Sequence, residues 1–183
     1  PVCHALRHIK DSGNAIPQVT LVDLDRSALK AAKMYAQAKE VGQFTHVLCM
    51  NILRAQGVAL PAVDTQMNVA ARALRRQVGL EAATYDTVDA VGILEYVPEE
   101  LPDESPTALR VNAATFLAHA AQLVKPGGLL LVGNMRDTHP QLGFTLNVVQ
   151  WPHIQPRSIE TMRRIVEAAG LGGLSVYSVD LSR

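Results

Sequence analysis

Two carboxylates stand two residues apart in QVTLVDLDRSALKAAK, residues 18–33, where Asp23 and Asp25 close an apolar alternating run and a helical pattern begins at once. A carboxylate accepts hydrogen bonds from both hydroxyls of a vicinal diol, which a single neutral acceptor does not do. In open α/β sheets ligands bind beyond the carboxyl ends of the strands, and a dinucleotide-type fold places there the acid that takes the ribose hydroxyls, ~20 residues after a glycine-rich loop. Asp23 holds that position. Asp25 reads as the N-cap of the following helix, its side chain taking exposed N–H groups and its charge complementing the dipole. One acid is thereby assigned to a ligand and the other to the helix.

The remaining reactive side chains are dispersed. Cys3 and Cys49 form no CxxC and have no added His cluster, which fits a reducing, cytoplasmic setting and provides no metal site. His4, His8, His46 and His119 fall within elements and read as structural, while His139, Trp151 and His153 lie in one long loop. Seventeen basic residues balance seventeen acidic ones, with Arg75-Arg76 and Arg163-Arg164 as the basic pairs, so the footprint of a nucleic-acid binder is missing. The apolar runs are too short for a membrane span, and the first residues of this sequence do not show the charged-then-apolar pattern of a signal segment. A chain of 183 residues, 48% of them hydrophobic, buries a core of single-domain size.

These residues must be positioned by alternating strands and helices. Val2, Ala5, Leu6 and Ile9 recur with helical spacing ahead of Gly13, and Leu29, Ala32 and Ala36 give a second helical face ending near Gly42. THVLCMNIL, residues 45–53, reads as a buried strand. Asp64 or Thr65 begins a helix carrying Met67, Ala71, Leu74 and Val78, closed by Gly79. YDTVDAVGILEYV, residues 85–97, is a strand with its exit loop. Ser105 and Pro106 form an N-cap and N1 pair for a helix through Leu109, Ala113, Phe116, Leu117, Ala120 and Val124, and KPGG then turns into LLLVGNM. A Pro-containing loop over residues 138–156 precedes a helix that Ser158 opens, with Ile159, Met162, Val166 and Ala169 on its face and Gly170 at its end; LSVYSVD is a final strand. Near-continuous apolar strands separated by amphipathic helices predict an α/β fold with a mainly parallel sheet covered on both faces.

In that order the pieces resemble the class I S-adenosylmethionine-dependent methyltransferases. VDLDRSALKAA is similar to the family's acid motif after its second strand, CMNIL to the pair after the third, and YDTVDAVGILEYV to the fourth-strand motif. LVKPGGLLLVG resembles the helix, turn and fifth strand, and SIETMRRIVEAAGL the helix before the sixth. The resemblance implies a three-layer αβα sandwich with a mostly parallel, Rossmann-like sheet, and S-adenosyl-L-methionine as cofactor. It implies that Asp23 holds the ribose, that Leu24 and Ile52 sandwich the adenine, that Asn51 bonds the adenine edge, and that Gly92, Ile93 and Leu94 pass beneath the cofactor. Glu95 and Tyr96 follow directly as the candidate catalytic pair.

The family's first strand and glycine-rich loop have no counterpart in residues 1–183, so the expectation is that both stand upstream of Pro1. Without that central strand two half-sheets would be left with unpaired inner edges. Methyl transfer to a small-molecule or lipid-like acceptor is the leading expectation. A nicotinamide-dependent Rossmann oxidoreductase and a catalytically inactive methyltransferase-like binding module are the alternatives.

Overall fold

The fold is described by a computed structural model over residues 2–50, 59–60, 80–100, 111–151 and 153–172. The chain divides into two compact units, Pro1–Ala55 with Gln66–Gly79, and Gln56–Thr65 with Leu80–Arg183. The expected helix after Asp64, the start at Ser105 and the last strand LSVYSVD lie outside the described residues.

The first unit opens with α1 (Val2–Asp11). It ends where the sequence places a stop: Gly13 takes a left-handed φ of 72°, and the N–H of Asn14 donates to Ile9 O at 3.2 Å, which satisfies a carbonyl the helix leaves open. Of the expected face, Leu6 is buried and Ile9 half-buried, while Val2 and Ala5 are exposed and Cys3 is buried instead. Cysteine behaves here as a small hydrophobe, joining Leu6, Ala36 and Val41 in a core against which Ile16, Val19 and Phe44 pack. From there β1 (Val19–Asp23), α2 (Arg26–Ala38), a 3-10 turn (Gly42–Phe44) and β2 (Thr45–Cys49) form a strand–helix–strand crossover. The two strands run parallel from Val19↔Thr45 to Asp23↔Cys49. Parallel neighbours require such a crossover, and α2 supplies it while burying Leu29 and Ala36.

The second unit contains a short parallel pair, β3 (Ala59–Leu60) and β4 (Leu80–Glu81), and a longer one, β5 (Tyr85–Ala90) and β6 (Val124–Val132). Between β5 and β6 runs α3 (Ala113–Leu123), whose buried face is Ala113, Phe116, Leu117, Ala120 and Leu123. Burying Phe116 and Leu117 stabilises the unit by about 1.5–3 kcal/mol each. The cap of α3 is Asn112, extended and accepting the N–H of Thr115 at 2.8 Å on its side chain, so this helix starts at Ala113 and does not run unbroken from Ser105 as expected. Val124 leaves the helix for β6, against the expectation that it ends the helical face. KPGG sits in a register shift: Tyr85 pairs with Val124 and Thr87 with Leu129, so residues 125–128 bulge opposite Asp86 alone. Pro126, which lacks an N–H, and Gly127, at φ 78°, are residues such a bulge admits.

Residues 138–156, expected as loop, contain a helix, α4 (Leu142–Asn147). The hydroxyl of Thr145 donates to Gln141 O at 3.0 Å and the side-chain amide of Asn147 to Gly143 O at 2.9 Å, so polar side chains close this short helix. The last described helix, α5 (Ile159–Ala168), has the expected Ser158 cap, accepting from Thr161 N at 3.1 Å, and the expected Gly170 close at φ 73°. Among the described residues the strands thus form three two-stranded parallel sheets, an α/β pattern. No helix among them is long and apolar enough to cross a membrane.

Candidate functional site

At the carboxyl end of β1 the chain turns into α2 on two acids. Oδ1 of Asp23 accepts the N–H of Asp25 at 2.9 Å, a local turn that a short acid side chain favours. Oδ1 of Asp25 then accepts from Ser27 N at 2.7 Å and Ala28 N at 3.3 Å, the N-cap role expected of it. Main-chain bonding continues past the strand end, with Met50 N donating to Asp23 O at 3.0 Å. Asp23 is exposed and its Oδ2 carries no hydrogen bond among the described residues, so the carboxylate retains acceptor capacity. Beside it Leu24 presents an apolar side chain that is 63% exposed, and Cys49 contributes an exposed thiol whose Sγ donates to Leu24 O at 3.6 Å. Asn51 and Ile52 lie outside the described residues.

The second unit repeats this device at the end of β5. Oδ1 of Asp89 accepts the N–H of Val91 at 3.0 Å, and the backbone then passes through Gly92 at φ 80°, where an added Cβ would have nothing within 4 Å. Gly92 is therefore required by its backbone conformation, and it leaves open space above the chain. A 3-10 turn, Leu94–Tyr96, follows. Ile93 is half-buried, and Leu94 is fully buried, so its side chain belongs to the core and only its backbone is available to a ligand. Glu95 and Tyr96 are half-buried. The ring of Tyr96 stands 6.3 Å from that of Trp151, tilted by 47°. Burial raises the Tyr96 phenol above its ordinary value; a hydrogen bond with Trp151 opposes this and the charge of Glu95 adds to it. A phenol so held stays protonated near neutrality and keeps an O–H to donate.

Sequence reasoning missed the group that anchors this turn. Arg157 is 3% exposed. Its Nη1 donates to Leu94 O at 2.8 Å and to Asn134 Oδ1 at 2.6 Å; its Nη2 donates to Val97 O and to Gln155 Oε1 at 3.2 Å; its Nε donates to Glu99 Oε1 at 3.3 Å. Burial lowers the guanidinium pKa from its ordinary value and the Glu99 carboxylate opposes that shift, while a guanidinium keeps its charge in any protein setting. The one available signal was compositional: residues 138–156 contain no Asp, Glu, Lys or Arg, and Arg157 ends that stretch directly before a helix cap. Among the described residues no group of three or more His, Cys, Asp or Glu is arranged to hold a metal.

No protein-family model matches the chain. No curated protein matches it. Among solved structures it is similar to an O-methyltransferase family protein from Burkholderia thailandensis, with 21% sequence identity, a TM-score of 0.56 and 92% of this chain covered. The likeness is one of fold. This chain spans 41% of the length of that protein.

Proposed function

We propose that the protein transfers a methyl group from S-adenosyl-L-methionine to a small apolar or lipid-like acceptor. The observation that carries this reading is the end of β1: within an O-methyltransferase-like fold, an exposed Asp23 carboxylate, one oxygen of which has no hydrogen bond among the described residues, closes the turn into α2. The residues present fit the cofactor. Asp23 takes the ribose hydroxyls, the exposed Leu24 offers an apolar face to the adenine with Ile52, and Asn51 serves its edge. In the other unit, the open space over Gly92 admits a ligand against the backbone of Gly92, Ile93 and Leu94.

When bound, the sulfonium supplies a methyl group that is already activated, so the chain's work is largely positioning. Glu95 accepts the proton of an acceptor hydroxyl, and the protonated Tyr96 donates a hydrogen bond that orients it. Phe144, Val148, Val149 and Trp151, exposed by 58%, 66%, 54% and 43%, supply apolar surface for the acceptor. Both described cysteines are free, which supports a reducing, cytoplasmic setting.

The test is calorimetric titration of the full-length protein with S-adenosylmethionine and with NAD in parallel. Binding of the first, weakened by about 1.5–3 kcal/mol on Asp23→Ala, is the expected result; binding of NAD alone overturns the reading in favour of an oxidoreductase.

A further inference from the structure

Arg157 lies just before α5, and the roles assigned so far leave it without a function. Its carbonyl acceptors, Leu94 O and Val97 O, bracket the turn that carries Glu95 and Tyr96. A second set of bonds binds the same turn to the chain beside Arg157. Gln155 N donates to Glu95 O at 2.7 Å, and Asn134 Nδ2 donates to Gln155 O at 3.0 Å. The main chain of Arg157 continues this with its N–H donating to Met135 O at 2.9 Å and its O accepting from Asp137 N at 3.3 Å. Arg136 and Arg157 form a parallel bridge, so the excursion that contains α4 and Trp151 leaves and returns at one place. The guanidinium stands at that place. Its planar fork spans two carbonyls at fixed separation, a geometry the single ammonium of lysine does not reproduce.

We infer that Arg157 is a positioning residue: it holds the Glu95–Tyr96 turn and the base of the Trp151 excursion as one body, so that the candidate acid–base pair and the apolar acceptor surface keep a set separation. The inference rests on the methyl-transfer reading for its purpose, and on geometry alone for its mechanics. The guanidinium bonds Val97 O, next to Tyr96, and Gln155 Oε1, in the returning arm of the excursion that carries Trp151, and the rings of Tyr96 and Trp151 stand 6.3 Å apart.

The test uses the full-length protein carrying Arg157→Lys, with amide hydrogen exchange and the fluorescence of Trp151, the single tryptophan, as readouts. The amides of Tyr96, Val97 and Gln155 are expected to exchange about tenfold to 100-fold faster, as loss of hydrogen bonds to a charged group implies. Trp151 emission changes as its contact with Tyr96 loosens, and the amides of β1 and β2 keep wild-type rates. Wild-type exchange at the turn overturns the inference, as does acceleration spread evenly over both units, which marks a global stability effect. Should Arg157→Lys fail to fold, Gln155→Ala removes one acceptor of Nη2; a roughly threefold acceleration at the same amides is expected, and none overturns the inference. Wild-type protein that binds no S-adenosylmethionine would defeat the methyl-transfer reading instead, and the exchange pattern would still decide whether Arg157 sets the turn.

Discussion

Oδ1 of Asp23 accepts the backbone N–H of Asp25 across 2.9 Å, and Asp25 in turn accepts the N–H groups of Ser27 and Ala28. The paired acids therefore act in series. Asp23 folds the chain over the end of β1, which brings Asp25 to the first turn of α2, where its carboxylate meets unsatisfied donors and a favourable dipole. Oδ2 of Asp23, which has no hydrogen bond among the described residues, is the oxygen left to the proposed cofactor.

That division predicts different outcomes at the two positions. Asp23→Asn keeps an oxygen for the Asp25 N–H but loses the charge, so S-adenosylmethionine binding should weaken by about 1.5–3 kcal/mol with little change in stability. Asp25→Ala should cost about 1 kcal/mol of stability and leave affinity nearly unchanged. Titration calorimetry and urea unfolding on the same preparations separate the two, and equal affinity losses would sink the assignment.

A second prediction concerns the bulge of β6. A Cβ added at Gly128 would stand 2.6 Å from Val124 Cγ1 and 2.7 Å from Asp86 O, and the second of these is backbone of β5 opposite the bulge, between the paired residues Tyr85 and Thr87. A third atom, Lys125 O at 3.0 Å, is also backbone, so a shift of the Val124 side chain alone does not relieve the crowding. Gly128→Ala should destabilise the protein by about 1–3 kcal/mol, the range for overpacking. A urea midpoint equal to wild type would show that the bulge relaxes freely.

Tyr96 yields a prediction in pH. Its folded pKa is raised, chiefly by burial, so the folded protein holds the phenolic proton more tightly than the unfolded chain. The resulting contribution to stability is fully present below the unfolded pKa of about 10, and is lost as pH rises through the higher folded value. Tyr96→Phe lacks this component. The urea midpoints of wild type and Tyr96→Phe, measured from about pH 8 to pH 11.5, should run parallel at first and then diverge, with wild type falling faster. Parallel curves throughout would remove the burial assigned to this side chain.

How much of this was legible in the sequence depends on how far each interaction reaches along the chain. The Asp25 and Ser158 caps and the Gly13 and Gly170 stops are interactions within a few residues, and each stands where the sequence places it. The parallel pairing of β1 with β2 and of β5 with β6 follows from one helix between apolar strands. Two features needed tertiary context. The buried stripe of α1 is set by what α2 offers it, which favours Cys3 over Val2. Arg157 draws its acceptors from positions up to 63 residues away, and no local pattern distinguishes a buried arginine from a solvated one. Asp89 repeats the turn made by Asp23 and was legible in principle, as an acid directly before the end of a strand.

The last prediction concerns Trp151. Its side chain is 43% exposed and its ring meets Tyr96 at 6.3 Å, so it is neither a core residue nor a free surface one. Phe144, Val148 and Val149 leave still more apolar surface in the same excursion, which either forms an acceptor wall or covers a sheet edge. If Trp151 forms part of the acceptor wall, Trp151→Ala should abolish or strongly reduce methyl transfer to apolar acceptors, with S-adenosylmethionine affinity unchanged. Its cost in stability should be about 1–2 kcal/mol, below the 3–5 kcal/mol that deletion of a fully buried tryptophan incurs. The measurement is transfer of a radiolabelled methyl group to a panel of aromatic and acyl-bearing hydroxy compounds, run beside a thermal melt. A large fall in melting temperature with acceptor turnover preserved would assign Trp151 to packing alone, and would move the acceptor surface away from this excursion.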